Sequence, residues 1–456
     1  MKNSILNKLY SARRISLFGY GKSNRAVHSF LKKRCPDASL CLRCDGASGL
    51  SADELSEFDA VYEGKQARCR IDEDIIFLSP TIRRDSQEII AATQNGVCVL
   101  SDIELFFALN DGDSLGITGS DGKSTTTRLT ADILTSAGLA AAPLGNFGRS
   151  PLAILGSRVF PVLEFSSFQL MGIRPRLRRA CITNITKNHL NWHKSFDEYI
   201  DAKLNIIRNT DEAVYDYDSE VLRTAASGIR AFAVCSSRLS HSELIKRCDT
   251  IHTLTLCGEE MLIDGERSIS LAEARRKESY NFKNYMLSTA MTLGLANEAQ
   301  QSDALIGFAG LAHRCELVDE IEGVKYYNSS IDTSQKRTLS TLDSLQGEIT
   351  LILTGRPKDK EIGELASAIR KRGIRVIIFG ECTEAYKDAL ADADVTPVCD
   401  MYNAVSLGAR MTAIGGVVLL SPSATGYDLY KSFEERGEDF CRCVIKYKEL
   451  RKGKRK

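Results

Sequence analysis

The stretch SLGITGSDGKSTTTRLTADILTSA, residues 114–137, decides the fold of this chain. Its first part, Ser114–Thr118, is short and apolar, which predicts a buried β-strand, and its last part, Thr125–Ala137, has the spacing of a helix. A glycine-rich turn joins the two. A strand that leads through such a turn into a helix predicts an α/β fold in which the turn contacts phosphate groups.

The turn carries the groups that bind a phosphate. Its backbone N–H groups and the N-terminus of the following helix can hold phosphate oxygens, while Lys123 adds a positive charge and Ser124 can ligate Mg²⁺. The common spacing GxxxxGK[ST] is not met because residue 117 is Ile, and the variant TGxxGKS stands in its place. The candidate nucleotide-binding residues are Gly119, Ser120, Asp121, Gly122, Lys123, Ser124 and Thr125.

Two further features of the same region could serve the phosphates. Glu164 follows the apolar strand predicted over residues 159–163, and a carboxylate at the carboxyl end of a strand beside a phosphate loop is placed for Mg²⁺. His189 lies in a polar loop after another strand. A loop histidine alone is more often a hydrogen-bonding residue, but beside Glu164 and Lys123 we favour a ligand or phosphate contact. Trp192 and His193 are interpreted as packing or surface residues.

Strands and helices also alternate on both sides of this region. On the N-terminal side, strands are predicted at residues 15–18, 39–43, 60–62, 75–78 and 98–100. The turn GYGKS at residues 19–23 lacks the third glycine of a dinucleotide fingerprint, because residue 24 is Asn. Binding of a nucleotide diphosphate and a simple tight turn therefore remain equally open. Asp45, just past the second strand, could contact a ribose or a base edge.

On the C-terminal side, strands are predicted at residues 324–328, 349–354, 376–379 and 417–421, with helices between them. The loops after Thr354 and Ser421 are candidate site loops, because parallel sheets bind ligands at the carboxyl ends of their strands. The sequence thus predicts three α/β domains. They are a Rossmann-like domain over residues 1–101, a central P-loop ATPase-type domain over 102–310 and a second Rossmann-like domain over 311–456.

Composition excludes several other classes. The 456 residues include 60 Lys and Arg against 59 Asp and Glu, so the net charge of +1 argues against a strongly basic nucleic-acid binder. No run of about 18 apolar residues predicts a membrane span, and the N-terminus lacks the features of a signal peptide. We expect a cytoplasmic monomer without a nucleic-acid partner. The 14 cysteines are scattered, and the pair Cys41–Cys44 is interpreted as part of a strand rather than a zinc or redox site.

Taken together, these motifs resemble the Mur ligases of peptidoglycan synthesis over nearly the whole chain. The resemblance rests on ITGSDGKST (117–125), LGNFG (144–148), LEFSSFQL (163–170), NIT leading to His189, Tyr199 to Lys203, HRCE (313–316) and FEERG (433–437). The ExSSFQL run is most similar to the family member that adds D-glutamate. The resemblance implies a ligase that uses ATP to convert the carboxylate of UDP-N-acetylmuramoyl-L-alanine into an acyl phosphate, which the amine of D-glutamate then attacks.

The family also implies roles for individual residues. Ser124 and Glu164 would bind one Mg²⁺, while His189 and a carbamylated Lys203 would serve a second cation. Without the resemblance, Lys203 would be interpreted as a surface lysine of a helix predicted over residues 197–208. Lys123, His189 and Lys203 would be the catalytic residues, and the ATP contacts outside the phosphate loop would be Asn281, Asn284 and Arg314. The implied substrate contacts are Ser23, Asp45, Asn146, Ser166, Gln169, Thr333, Lys358, Ser423 and Phe433.

Several positions depart from the family pattern. Asn188 stands where Asp is expected before the metal-site histidine, Ser329 replaces an ATP-contacting Asp, and Gly426 replaces a Ser that helps to hold D-glutamate. Three functional hypotheses therefore stay open. The favoured one is a ligase that adds D-glutamate. The second is a catalytically weak paralogue that binds the UDP precursor as a regulatory or scaffolding protein, and the third is a ligase that uses another amino acid.

Overall fold

The computed structural model describes residues 2–46, 50–226, 228, 230–274, 279–357 and 362–453. The chain divides into two compact units, Met1–Phe308 and Ala309–Lys456. Three β-sheets with mostly parallel strands carry the fold, two in the first unit and one in the second. The α/β fold class is as predicted. The division of the chain into three domains stays a prediction.

The first sheet has the order β3-β2-β1-β4-β5, and all its strand pairs are parallel. Apolar side chains of the strands, such as Leu17 and Phe77, pack against Val27 and Leu31 of the first crossover helix. The elements are β1 Arg14–Phe18, β2 Ser39–Cys44, β3 Ala60–Glu63, β4 Ile75–Leu78 and β5 Cys98–Leu100, with α1 Lys2–Ser11, α2 Lys22–Arg34, α3 Ala52–Ser56, α4 Lys65–Arg68, α5 Gln87–Gln94 and α6 Asp102–Leu109.

The second sheet has nine strands in the order β14-β13-β12-β11-β10-β9-β6-β8-β7. It is parallel from β7 to β12, and an antiparallel hairpin and strand extend it. The strands are β6 Leu115–Thr118, β7 Ala141–Gly145, β8 Phe160–Glu164, β9 Leu177–Ile182, β10 Thr210–Asp216, β11 Ala231–Ser236, β12 Thr250–Cys257, β13 Glu260–Ile263 and β14 Arg267–Ser270. The helices are α7 Lys123–Ser136, α8 Ser167–Leu170, α9 Phe196–Leu204, α10 Glu220–Ala225, α11 His241–Leu244, α12 Ser279–Thr292 and α13 Glu298–Gly307, with a 3₁₀ turn at Pro151–Ile154.

The second unit is built on a sheet of order β15-β16-β20-β17-β18-β19, in which only the edge pair β15–β16 is antiparallel. Its core fills both faces of β17 and β20 with aliphatic side chains. The elements are β15 Glu316–Ile321, β16 Val324–Asn328, β17 Ile349–Thr354, β18 Arg375–Phe379, β19 Val395–Pro397 and β20 Val417–Leu420, with α14 Gln335–Ser344, α15 Gly363–Arg372, α16 Cys382–Ala385, α17 Met401–Met411 and α18 Phe433–Gly453.

Most predicted strands lie within one or two residues of the observed ones. The helix after the phosphate loop begins at Lys123, two residues before its predicted start. The helix predicted over residues 197–208 ends at Leu204. Cys41 and Cys44 are buried in β2 with free thiols, as the strand interpretation requires. No helix in the described part of the chain is long and apolar enough to cross a membrane.

Candidate active site

The loop between β6 and α7 adopts a backbone that only glycine allows at two positions. Gly119 has φ = 149°, and a Cβ there would lie 1.9 Å from Thr183 Oγ1. Gly122 has φ = 77°, and a Cβ there would lie 2.4 Å from Asn284 Oδ1. Side chains at either position would collide with the neighbouring elements. The glycines of the TGxxGKS motif are therefore explained by close packing of the turn against β9 and α12.

The loop after β9 holds the phosphate loop in place. The Ser120 hydroxyl accepts a hydrogen bond from the backbone N–H of Thr186 at 2.8 Å and lies 2.8 Å from the hydroxyl of Tyr199. The backbone N–H of Asp121 donates to Asn184 Oδ1 at 3.0 Å. Since each contact joins the turn to another element, the shape of the phosphate loop is fixed from outside as well as by its own glycines.

Lys123 and Ser124 form the first residues of α7, so both lie at the positive end of a 14-residue helix. Lys123 Nζ donates to the carbonyl oxygen of Ser120 at 2.9 Å, which folds the side chain back over the turn. Ser124 is buried. A positive helix end, a folded-back ammonium group and a hydroxyl at the same turn make a site for phosphate oxygens.

Glu164 is the last residue of β8, in register with Ile117 of β6, and its carboxylate is buried. Oε1 accepts a hydrogen bond of 2.6 Å from Asn146 Nδ2, whereas Oε2 is buried with no hydrogen-bond partner among the described residues. A buried carboxylate oxygen without a donor is costly unless a cation completes it. The position of Glu164 beside the phosphate loop therefore fits a magnesium ligand.

The described residues contain no group of three or more His, Cys, Asp or Glu side chains that could hold a metal ion. Mg²⁺ does not need such a cage, because it commonly binds one or two carboxylates together with water and substrate phosphates. The single carboxylate of Glu164 and the hydroxyl of Ser124 fit that pattern. A magnesium ion here would depend on the phosphates of a bound nucleotide for the rest of its ligands.

Lys203 projects from α9 into the same region and is buried. Nζ donates to the carbonyl oxygen of Gly119 at 2.6 Å and lies 3.5 Å from Thr118 Oγ1 and 4.7 Å from the centre of the Tyr199 ring. Burial, with the nearby charge of Lys123, lowers the pKa of Lys203 well below its usual value. The lysine therefore meets the phosphate loop directly, which rules out the plain surface interpretation.

His189 has a left-handed backbone, with φ = 55°, and an exposed side chain. Its ring packs edge-on against Phe168, with 5.0 Å between the ring centres, and lies 6.5 Å from the Tyr199 ring. His189 and Lys203 thus share Tyr199 as a neighbour. Their joint service of a second cation stays a prediction.

Asn281 and Asn284 are buried on α12. Asn284 Oδ1 accepts a hydrogen bond from Thr126 Oγ1 at 3.3 Å, and its amide nitrogen donates to Asn281 Oδ1 at 3.3 Å. The pair therefore packs against the helix of the phosphate loop. The role in ATP binding expected for the pair stays a prediction. Asn284 contacts both Gly122 and Thr126, so its position depends on that of the phosphate loop.

The other predicted contacts of the first unit have partners within the protein. The Ser23 hydroxyl bonds to the carboxyl group of Asp102, whose burial raises its pKa. Asp45 is exposed and pairs with Arg68 at 2.9 Å. Ser166 and Gln169 cap the short helix α8, since each side chain accepts the backbone N–H of the other, at 3.2 and 3.0 Å. The capping explains the Ser-x-x-Gln spacing by itself.

A small cavity of about 20 Å³ opens where the carboxyl end of β4 faces α8. It is lined by Leu78, Ser79, Pro80, Ile82, Arg84, Ser101, Phe168, Gln169, Met171 and Trp192. Of the predicted substrate contacts, only Gln169 is among these residues.

Sequence reasoning missed Lys22. Its ammonium group donates hydrogen bonds to the carbonyl oxygens of Gly145, at 3.0 Å, and Gly148.

Five predicted contacts belong to the second unit, and four of them, Arg314, Thr333, Ser423 and Phe433, are among the described residues. The hydroxyl of the buried Ser423 has no described hydrogen-bond partner. The Phe433 carbonyl accepts from the Ser330 hydroxyl at 2.8 Å. Arg314 follows His313, which has φ = 62°, and the Thr333 N–H donates to the Ile331 carbonyl at 2.9 Å. Lys358 lies outside the described residues.

Two of the departures from the family pattern have local explanations. The Ser329 hydroxyl accepts a hydrogen bond from the backbone N–H of Cys315 at 3.1 Å. A Cβ at Gly426 would lie 2.8 Å from the carbonyl oxygen of Ser432, so this loop has closed over the space that a serine side chain would need. The serine expected at 426 could not be restored here without a shift of the backbone.

The fold and the site define a nucleotide-phosphate-binding α/β protein with a P-loop-type turn on its nine-stranded sheet. Residues 117–291 match the family model of the Mur ligase middle domain. The UDP-N-acetylmuramoylalanine–D-glutamate ligase of Geotalea uraniireducens is 33% identical over 94% of this chain and 96% of its own. The ligase of the same name from Geobacter sp. (strain M21) is 34% identical, with the same shares covered. The chain belongs to the Mur ligase family.

Solved structures agree on the fold. A UDP-N-acetylmuramate–alanine ligase from Thermotoga maritima superposes with a TM-score of 0.57 at 16% identity, covering 96% of this chain and 99% of its own. A pseudomurein peptide ligase from Methanothermus fervidus gives a TM-score of 0.53 at 13% identity, covering 95% and 99%. Identities this low support the architecture alone.

Proposed function

We propose that the chain is a cytoplasmic ATP-dependent ligase that adds D-glutamate to UDP-N-acetylmuramoyl-L-alanine in the synthesis of peptidoglycan precursors. The observation that carries the proposal is the buried Glu164, whose Oε2 lacks a donor beside a phosphate loop ending in Lys123 and Ser124. The relatives that share about a third of the sequence over nearly its whole length are named for this reaction.

In the proposed reaction, a carboxylate oxygen of the UDP precursor attacks the γ-phosphorus of ATP, and ADP leaves. The amine of D-glutamate then attacks the acyl phosphate and loses a proton, and the tetrahedral intermediate expels phosphate to leave an amide. Both attacks bring anions together, so the barrier is largely electrostatic. Lys123 and the N–H groups at the start of α7 would stabilise negative charge on the transferred phosphoryl group.

Ser124 and Glu164 would hold Mg²⁺, which when bound neutralises charge on the phosphate oxygens. Asn146 positions Glu164 by donating to Oε1, leaving Oε2 for the cation. Lys203 would act as a carbamate. Its amine would add to the carbon of CO₂ and lose one proton, giving an anion that can face a cation. The carbonyl of Gly119, 2.6 Å from Nζ, would then have to lose its hydrogen bond with the lysine or receive it from the carbamate N–H.

One observation favours the alternative in which a different amino acid is used. The expected serine of the D-glutamate pocket is Gly426, and the Ser432 backbone fills the space of its side chain. A carboxylate could still be held by the Ser423 hydroxyl, which is buried without a described partner. We expect D-glutamate to be the substrate, with one of its two carboxylates bound more weakly than by the serine of the family pattern.

The deciding experiment measures phosphate release by the purified protein with ATP, Mg²⁺ and UDP-N-acetylmuramoyl-L-alanine across a panel of amino acids. We expect release that needs all components and is fastest with D-glutamate. Faster release with another amino acid would overturn the substrate assignment alone. Binding of the UDP precursor without release for any amino acid would instead support the non-catalytic paralogue.

A further inference from the structure

Arg83 lies at the centre of a polar cluster formed by its own segment, the loop that contains Trp192 and the helix α9. It belongs to the segment of residues 79–85, which follows β4 and supplies Ser79, Pro80, Ile82 and Arg84 to the cavity wall. The Arg83 side chain is only 18% exposed. Within the cluster it contacts Asp85 of its own segment, Glu198 of α9 and Trp192 of the loop that leads to α9.

The Arg83 guanidinium uses all five of its N–H donors within the protein. Two go to Asp85, from Nε at 2.7 Å and from Nη2 at 2.9 Å. Two go to Glu198, from Nη2 at 2.8 Å and from Nη1 at 3.1 Å, and the last goes to the Trp192 carbonyl at 2.8 Å. Because a guanidinium has five donors, Arg83 has none left for a substrate phosphate.

The same elements are joined by further contacts around Arg83. Its guanidinium carbon lies 4.8 Å from the centre of the Trp192 ring. The indole N–H of Trp192 donates a hydrogen bond of 2.9 Å to the carbonyl oxygen of Thr81, and the ammonium group of Lys194 contacts the carboxylate of Asp85. The segment 79–85 thus makes three polar contacts with the loop after β9, two through Trp192 and one through Lys194. It is also paired with Glu198 in the first turn of α9.

We propose that Arg83 is a positioning residue that holds the segment 79–85, Trp192 and α9 at one spacing. The segment and Trp192 both contribute to the cavity wall, and α9 carries Lys203 five residues beyond Glu198. The contacts of Arg83 with Asp85, Trp192 and Glu198, here called the clamp, therefore connect the wall of the cavity to the helix that carries Lys203. Its effect on the UDP precursor rests on the function proposed above, whereas the clamp itself does not.

The chain offers a built-in reporter, because Trp192 is its only tryptophan. The first measurement is the quenching of Trp192 fluorescence by acrylamide in the ligand-free protein. In Arg83→Met we expect the quenching constant to rise about twofold or more, since the tryptophan loop loses a carbonyl bond and a cation above its ring. Arg83→Lys should fall between the two. Arg128→Met, which breaks an exposed pair with Asp132 within α7, is the matched control and should quench like wild type.

The second measurement is the affinity for UDP-N-acetylmuramoyl-L-alanine, by calorimetry, together with KM for ATP. Arg83→Met should weaken precursor binding on the order of tenfold and leave KM for ATP within about twofold. A general loss of structure would raise both. Circular dichroism and the thermal midpoint identify a variant that has failed to fold, and Arg83→Lys and Glu198→Gln then serve in its place.

The outcomes separate the two hypotheses. Unchanged quenching in folded Arg83→Met overturns the clamp, and a precursor affinity equal to that of wild type overturns its effect on precursor binding. If the wild-type protein does not bind the precursor at all, the proposed function fails, and the quenching of the ligand-free variants alone decides on the clamp.

Discussion

Lys203 of the first unit and Arg436 of the second are both buried basic side chains, but their surroundings differ. Arg436 donates to the carbonyls of Thr354, Ala424 and Ser330 and to the Ser330 hydroxyl, at 2.8 to 3.1 Å. Lys203 has one close carbonyl, that of Gly119, and a hydroxyl at 3.5 Å. Among the described residues, Arg436 therefore has four hydrogen-bond acceptors, whereas Lys203 has only one close acceptor.

The difference fits a structural role for Arg436 and the carbamate proposed for Lys203. Burial lowers the pKa of Arg436 to about 10, so it stays charged at neutral pH and joins three loops at the carboxyl ends of the third sheet. Burial lowers the pKa of Lys203 well below its usual value, and few acceptors offset that effect. An uncharged buried amine can act as a nucleophile toward CO₂, whereas a charged guanidinium that donates to three carbonyls cannot.

The largest expected effect is on phosphate release. It tests whether the phosphate loop that Lys203 contacts is the site of the reaction. Lys123→Ala should reduce phosphate release by about 100-fold or more, because charge stabilisation at a transferred phosphoryl group is lost. Its thermal midpoint should stay close to that of wild type, since the lysine contacts its own loop at the Ser120 carbonyl. Turnover within tenfold of wild type would remove the phosphate-loop assignment.

The next effect tests whether the region of Arg436 is structural. Arg436→Met removes the donors that Arg436 supplies to three buried carbonyls, so the free energy of unfolding should fall by about 3 kcal/mol or more. Urea unfolding measures the change. Arg442→Met is the matched control, because Arg442 lies on the same helix in an exposed pair with Asp439 and should cost little. Equal losses in the two variants would contradict a structural role for Arg436.

These two regions also differ in how far the sequence predicts them. The turn of residues 119–124 was predicted with its strand and helix, because Gly, Lys and Ser at that spacing serve one local structure. The placement of Glu164 followed from the rule that parallel strands end at the same edge of a sheet. The family resemblance, rather than the spacing of residues, supplied the role expected for Lys203.

What the sequence alone did not predict depends on contacts between distant segments. Arg83 and Glu198 are 115 residues apart, and nothing near either residue marks the pair. The strands over residues 210–270 were also missed, since short stretches such as Arg267–Ser270 carry little apolar pattern and are strands because the neighbouring hairpin pairs with them. Arg436 lies within the FEERG run, but the run does not indicate its acceptors, which come from three separate loops.

A third prediction sharpens the assignment of Lys203 as a carbamate. Lys203→Ala should release phosphate at least about tenfold more slowly than wild type, and acetate or formate in the assay should restore part of the rate by replacing the lost anion. Lys123→Ala is the control, because a small carboxylate cannot replace a cation there. If acetate and formate restore no activity to Lys203→Ala, the carbamate assignment loses its support.

The last prediction uses pH to separate the two cations by stability. Lys203 has a lowered pKa in the folded chain, so the unfolded state binds more protons at this residue. The contribution of Lys203 to stability therefore rises with pH until the unfolded lysine, with a pKa near 10.4, also loses its proton. Lys203→Met removes this penalty. It should therefore be more stable than wild type at pH 7, and the advantage should shrink by up to about 1.4 kcal/mol per pH unit as the pH approaches 10. Urea unfolding at pH 7, 8 and 9 in buffers free of CO₂ measures the difference, with Lys32→Met on an exposed helix face as control.

Arg436→Met should instead be less stable than wild type by a nearly constant amount over this range, because its loss of stability comes from carbonyls that do not titrate. A destabilised Lys203→Met at pH 7 would mean that the amine is charged and held by its acceptors, and the contrast between the two cations would then be wrong.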